Sequence, residues 1–478
     1  MSRASRNVRV TRRAFLGAAG ILATRRTEAA PPPNLILILC DDLGYGDLGC
    51  YGNRVIQTPH LDGMAARGTR FTQFYVTSPV CSPTRAGIMT GHYPQRYGIH
   101  GADLPERTVR YFVPESAVTI AEVLQRAGYY TAHIGKWHLG EPPHTAAPRK
   151  HGFHHFFGSF GGRPSSPWSR YARSMDPEII VNEERPVVHK GHVTDILANE
   201  AVRVIRERAG AGQPFFMNVW HNAPHEPLAP LPHQRKLYRF WSSAEQTYFQ
   251  TVTDMDAGVG RILAALEEAR IEQNTLVVFT SDNGPEVHSY PYSAGSAGPL
   301  KGMKTQLWEG GIRVPGIALW PGRIPAGGVS TSVASTLDLF PAFCAAAGLR
   351  PPQGLKLDSD INLLTLARPG AAAGERSLFF EYHWPQRGVA ASLPLAMRRG
   401  RWKLFADHNF QRMELYDLVE DVGEQNNIAE KNAKVVSALL PELQRWWGQF
   451  AGGVDLKAVG ERIAPPSPEE LDKKYYRN

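Results

Sequence analysis

Cysteine is scarce in this chain. Four residues in 478, Cys40, Cys50, Cys81 and Cys344, show neither CxxC spacing nor the density of a disulfide scaffold, so cross-links are not what holds the fold together. A Cys40–Cys50 bridge stays open on spacing alone, although Cys40 ends an apolar run and reads as a small buried hydrophobe. No apolar stretch of membrane-spanning length occurs in the body of the chain, which therefore reads as soluble. No long polar linker divides the sequence and no internal repeat recurs. That excludes a string of small modules and leaves one large domain with a smaller appendage.

A strong excess of one charge is also missing once its position is considered. The formal charge is +8, but residues 1–30 hold seven Arg and one Glu, leaving about +2 for the rest. The pI of about 9.2 thus reports mainly on a terminal segment, and nucleic acid is not an expected partner. That segment carries Thr11-Arg12-Arg13-Ala14-Phe15-Leu16, an apolar run from Leu16 to Ala23, and small residues at Ala29 and Ala30. It resembles a twin-arginine export signal over residues 1–30, cleaved near Ala30. The resemblance implies the Tat export machinery as a partner and an exported, periplasmic or extracellular, location.

After Pro31-Pro32-Pro33, the run Asn34 to Cys40 reads as a strand buried on both faces and ends in Asp41-Asp42-Leu43-Gly44. Thr275 to Ser281 repeats the pattern before Asp282-Asn283-Gly284, and Pro214 to Trp220 reads as a third strand stopping before His221. Helical spacing appears over Leu61–Arg67, Thr119–Ala127, Val193–Glu207 and Ala244–Arg270. Strands alternating with helices predict an α/β fold with a mostly parallel central sheet flanked by helices. Ligands of such sheets bind at the carboxyl ends of the strands, where these acidic and imidazole residues fall. Beyond Pro351-Pro352, short strands at Ser377–Tyr382, Leu395–Arg399 and Trp402–Ala406 and a helix at Val435–Phe450 predict a small C-terminal α+β subdomain. The boundaries expected are 34–360 and 361–478. Regions 141–192 and 284–300 read as long loops at a binding rim.

Cys81-Ser82-Pro83-Thr84-Arg85-Ala86-Gly87 is the most specific stretch. Pro83 favours a first helical turn, which would set residue 81 at a helix N-terminus hospitable to an anion, with Arg85 one turn on along the same face. Asp41, Asp42, Asp282 and Asn283 offer only oxygen ligands, a hard set suited to calcium or magnesium rather than zinc. Lys136 and His138 follow the strand Tyr130–Ile134, and an extended backbone would point both to one side.

The Cys81 stretch resembles the C-x-P-x-R signature at which sulfatases convert cysteine to formylglycine. The resemblance continues through Asp41-Asp42-Leu43-Gly44, Gly135-Lys136-Trp137-His138-Leu139-Gly140, Ala223-Pro224-His225, Ser281-Asp282-Asn283-Gly284 and Lys301-Gly302-Met303-Lys304 leading to Glu309-Gly310-Gly311. It implies an alkaline-phosphatase-like fold and a sulfuric ester hydrolase of the arylsulfatase or N-acetylgalactosamine-6-sulfatase type. It also implies calcium held by Asp41, Asp42, Asp282, Asn283 and the modified Cys81, and a separate maturation enzyme that makes the formylglycine. One hydroxyl of the hydrated aldehyde would attack sulfur and the other would allow sulfate to be eliminated. Lys136 would contact a sulfate oxygen, His225 with Lys304 would bind sulfate oxygens and help protonate the leaving alkoxide, Arg85 would join the two lysines in neutralising charge, and His138 would be the base for the second hydroxyl. Lys301 competes with Lys304, and His221 with His225. The substrate implied is an aryl sulfate or a sulfated glycan, with preference for the glycan. Phosphate or phosphonate esters and non-catalytic glycan binding are the competing classes. Asp103 and His288 are further possible substrate contacts. The Arg398-Arg399-Gly400-Arg401 run reads as solvated surface, and His151, His154 and His155 as loop.

Overall fold

The unbroken apolar run after the prolines forms the central strand β1 (Asn34–Asp41), buried along its whole length. Its side chains alternate between two cores. Leu35, Leu37 and Leu39 enter one, while Ile36, Ile38 and Cys40 enter the other, as a strand covered on both faces requires. The computed structural model describes residues 31–450 except 102–111, 142–146, 162–174, 183, 229–235, 287–293, 369, 372–373 and 384–390. The export-signal segment, Asp103 and His288 therefore lie outside the described residues.

The remaining strands of the large sheet are β2 (Thr69–Tyr75), β3 (Tyr130–Lys136), β4 (His155–Ser159), β5 (Glu178–Val181), β6 (Val187–Val188), β7 (Phe215–Pro224), β8 (Thr275–Ser281), β9 (Arg313–Leu319), β10 (Gly328–Ser330) and β11 (Ala334–Ser335). Their order is β10-β2-β9-β8-β1-β7-β3-β4-β5-β6, with β11 also pairing β2. The centre, β8-β1-β7-β3-β4, is parallel throughout. Antiparallel β9 and β5 make the sheet mixed towards its edges.

The helices are α1 (Pro59–Arg67), α2 (Cys81–Thr90), α3 (Ile120–Arg126), α4 (Val193–Gly210), α5 (Ser243–Glu268), α6 (Glu309–Ile312), α7 (Leu339–Ala346), α8 (Leu363–Leu366) and α9 (Ala433–Gly448). Apolar residues of α1, α4 and α5 fill the core on the Ile36 face, and those of α2, α3 and α7 the core on the Leu35 face. Capping boxes start two of them: Thr119 with Glu122 on α3, and Ser242 with Glu245 on α5.

The C-terminal sheet is antiparallel, in the order β12 (Ser377–Glu381), β13 (Leu395–Arg399), β14 (Trp402–Ala406) and β15 (Met413–Asp417). Its apolar face packs on Val436, Leu439, Leu443, Trp446 and Trp447 of α9, and Tyr93 and Leu337 of the larger part join that core. A buried ionic knot ties the two parts. Lys403 on β14 donates to Glu309 Oε1 at 3.0 Å and lies 2.9 Å from Glu424 Oε1, while Tyr75 of β2 donates to Glu309 Oε2 at 2.5 Å. Burial opposes the charge on Glu309, but Lys403 foremost, then Arg313 and Arg398, brings its pKa down to about 2.

Several expectations need correction. The third strand continues through His221 to Pro224: past a register shift after Trp220 it rejoins β1, where Pro224 stands opposite Asp41. The region 141–192 is not a plain loop, since it contains β4, β5 and β6. There His155 pairs with Glu200 and the His154 ring stacks on Tyr130. Arg398 is not solvated: strand alternation turns it inward, where it donates to the Tyr75 hydroxyl. Cys40 and Cys50 are unbridged; the Cys40 thiol packs instead 3.5 Å from the Met255 sulfur. Strand β15, in which charged residues flank a short apolar core, is absent from the periodicity reading.

Lys403→Met leaves Glu309 and Glu424 buried without their ammonium. Loss of one partner from a buried ion pair costs about 3–5 kcal/mol, so the urea midpoint of the variant should fall clearly. An unchanged midpoint would show that the knot does not hold the two sheets together.

Candidate active site

Strands β8, β1, β7 and β3 run in one direction, so their carboxyl ends share one edge of the sheet. Asp41 closes β1 and Asp42 turns the chain in the left-handed region at φ 67°. Asp282 and Asn283 follow β8, His225 follows β7, and Lys136 is the last residue of β3. Two glycines permit this crowding. A Cβ on Gly135 would lie 1.9 Å from the Trp220 carbonyl oxygen, and one on Gly284 would lie 1.8 Å from that of Gly310. The second approach brings the segment carrying Lys304 against the end of β8.

Cys81 is the first residue of α2, and Gly91 closes that helix in the left-handed region. The helix N-terminus points at the strand ends. Arg85, fully buried, donates through Nε and Nη2 to Asp282 Oδ2 at 2.9 and 2.7 Å and through Nη1 to the Lys136 carbonyl at 2.6 Å. Lys136 Nζ donates to Asp41 Oδ2 at 2.6 Å, and Lys304 Nζ to Asp42 Oδ2 at 2.8 Å. Asn283 Nδ2 donates to Asp42 Oδ1 at 2.8 Å, and His225 Nε2 lies 3.7 Å from Asp42 Oδ2. The Ser82 hydroxyl donates to the His138 carbonyl at 2.8 Å, which places His138 beside the start of α2.

The donor set fits a hard cation. Asp41 Oδ1 and Asn283 Oδ1 are buried oxygens without a hydrogen-bond partner among the described residues, a costly state unless something else binds them. One ligand atom from each of Asp41, Cys81 and Asp282 lies within 4.8 Å of the others, and so do those of Asp41, Asp42 and His225. Asp41, Asp42 and Asp282 face Arg85, Lys136 and Lys304. A divalent ion would therefore turn a neutral cluster positive by two, which suits an anionic ligand.

Titration follows the same layout. Burial works against the charge on Asp41, yet Lys136, His225, Arg85 and Lys304 hold its carboxyl well below the usual range. Asp282 goes the other way, raised by burial and by Asp41 against the pull of Arg85. The Cys81 thiol is raised by burial despite Lys136 and Lys304, so an unmodified thiolate nucleophile is disfavoured here. Burial likewise depresses the His225 imidazole, with Asp41 opposing.

The structure thus gathers Asp41, Asp42, Cys81, Arg85, Lys136, His225, Asp282, Asn283 and Lys304 at one edge. His138 arrives there differently from the expectation. Gly135 at φ 108° and His138 at φ 59° break the extended path, so a turn rather than strand alternation sets its direction. Lys301 leaves the site, donating to the Glu424 carbonyl at 2.9 Å and lying over Trp308. His221 is buried inside β7, where desolvation pushes it down to about 4. Sequence reasoning missed Glu226 and Glu286, which with His225, Leu228 and Tyr248 line a cleft beside Asp42. The adjacency of Glu226 to His225 was the one available signal.

Comparison with known proteins bears on this geometry. The Sulfatase family model matches residues 33–349, and the model for the C-terminal region of N-sulphoglucosamine sulphohydrolase matches 303–447. N-acetylgalactosamine-6-sulfatase of Canis lupus familiaris is 38% identical over 388 residues, 77% of this chain and 70% of that protein. Arylsulfatase A of Homo sapiens is 33% identical over 462 residues, covering 87% of each. Among solved structures, Ps i-CgsB superposes with a TM-score of 0.77 at 30% identity, covering 87% of this chain and 92% of that one. With an alkaline-phosphatase-like sheet and a pocket of this composition, the chain belongs to the sulfatase family and is a sulfuric ester hydrolase.

Proposed function

We propose that this enzyme removes sulfate from sulfated glycans through a formylglycine formed from Cys81, assisted by calcium. The observation that carries the proposal is the placement of Cys81: the buried first residue of α2, among three cations, near the Asp41 carboxylate and Asn283 carboxamide oxygens that have no hydrogen-bond partner among the described residues. The glycan preference is supported by the N-acetylgalactosamine-6-sulfatase relatives and by the structure of Ps i-CgsB with k-i-k-neocarrahexaose, 29% identical to this chain.

Asp41, Asp42, Asp282 and Asn283 would hold the calcium, which supplies positive charge opposite the sulfate. Hydrated formylglycine supplies a geminal diol, with one hydroxyl to attack sulfur and a second to carry the proton whose loss restores the aldehyde. Arg85 fixes Asp282 and the Lys136 carbonyl, and so sets the floor of the pocket. Lys136 and Lys304 neutralise sulfate oxygens. His138 takes the proton of the second hydroxyl, and His225 delivers one to the departing sugar alkoxide. A negative sulfate facing His225 would oppose the burial that depresses its pKa.

The catalytic domain is assigned to residues 34–360 and the C-terminal subdomain to 361–478. No helix among the described residues is long and apolar enough to cross a membrane. Export through the Tat machinery rests on Arg12-Arg13 and the apolar run that follows. Because Cys81 is buried in the fold, the maturation enzyme would act before folding is complete.

His225→Ala should slow a sugar sulfate by roughly 10²–10⁴ and slow an aryl sulfate with an acidic phenol far less, because only the sugar needs its oxygen protonated as it leaves. Equal losses on both would remove His225 from the proton-donor role. Chelation should abolish turnover and calcium should restore it. Full activity in a chelated, metal-free sample would refute the cation assignment.

A further inference from the structure

A second group of ligating side chains lies outside the sulfate pocket, at the seam between the large part and the C-terminal sheet. Glu381 ends β12, His383 stands two residues on, and His100 follows the short helical turn Pro94–Tyr97. His100 Nδ1 lies 2.9 Å from Glu381 Oε2, His383 Nε2 pairs with Glu381 Oε1, and Gln95 Nε2 donates to Glu381 Oε2 at 2.8 Å. Side-chain exposure is 3% for His100 and 0% for both Glu381 and His383. One ligand atom from each of the three lies within 4.8 Å of the others.

A fourth candidate completes the set. The His408 ring, just after β14, has its centroid 4.3 Å from that of His383, and its Nε2 is buried without a hydrogen-bond partner among the described residues. Trp447 of α9 walls the cluster, its ring 5.6 Å from both His383 and His408.

Imidazoles with one carboxylate differ in kind from the all-oxygen set around Asp41. Nitrogen-rich, four-ligand sites select zinc, whereas oxygen sites select calcium or magnesium. A tetrahedral zinc with bonds of about 2.0–2.2 Å sets its ligand atoms about 3.4 Å apart, within the 4.8 Å that bounds the ligand atoms of His100, Glu381 and His383. Gln95 then serves as the outer hydrogen bond that fixes the carboxylate.

We propose that His100, Glu381, His383 and His408 form a structural zinc site that fastens the segment following α2 to the C-terminal sheet. All four ligands come from protein, which closes the site to substrate and makes the ion a clamp. This site stands independently of the formylglycine reading.

The test uses untagged, full-length protein stripped of metal and titrated with cobalt alone, then with zinc. The proposal predicts a visible tetrahedral cobalt band saturating at one ion per chain, displacement of that band by zinc, and a zinc-dependent rise in Tm of several degrees. Glu381→Gln and His408→Ala should each lose the band and the Tm response, with His408→Ala serving if the glutamine variant does not fold. Absence of both the band and the Tm response in the unsubstituted protein would overturn the proposal. So would their persistence in His408→Ala, which would locate the bound metal elsewhere.

Discussion

The carboxyl ends of β1 and β8 place Asp41 and Asp282 in the interior of the protein, and the rest of the site is arranged around keeping those charges there. Arg85 answers Asp282 at 2.7 Å and Lys136 answers Asp41 at 2.6 Å, with all four side chains fully buried. Charges this deep are expensive, and a well-packed apolar replacement is often no less stable. Their value is therefore functional: they create a rigid, dry pocket whose field is fixed before substrate arrives. The oxygens of Asp41 and Asn283 that have no hydrogen-bond partner among the described residues are where the proposed calcium would bind.

The same lattice explains why α2 starts where it does. Arg85 can reach Asp282 and the Lys136 carbonyl only if its helix begins at the sheet edge, and that sets Cys81 at the helix N-terminus facing the acidic cluster. Behind it, the Lys403–Glu309 knot and the proposed zinc clamp brace the C-terminal sheet. Glu309 also begins the short helix α6 on the loop that carries Lys304. A pocket built from six separate chain segments thus acquires support from behind rather than from disulfides, in keeping with four free cysteines.

Much of this was legible in the sequence because strand ends advertise themselves. β1 and β8 are unbroken apolar runs that stop in Asp-Asp and Asp-Asn, and buried parallel strands have few other readings. The end of β7 was less legible: His221 and Asn222 look like a loop but remain in the strand, which rejoins β1 at Pro224 past a register shift that side-chain alternation does not reveal. The direction of His138 depended on positive φ angles at Gly135 and His138 itself, which a two-residue alternation cannot encode. Arg398 looked solvated within a basic run, and only its partners Tyr75 and Gln73, more than 300 residues away in sequence, make it a buried group. The His100–Glu381–His383 cluster was invisible for the same reason. Its members belong to no local motif and meet only when the two sheets are packed.

The account stands or falls on the chemical state of residue 81. Peptide mass analysis across Cys81, on protein made in a host with the maturation enzyme and assayed in parallel for sulfate release, tests it most directly. The account predicts the mass of formylglycine at that position in the active preparation. Full sulfatase activity from protein whose Cys81 is entirely unmodified would contradict it.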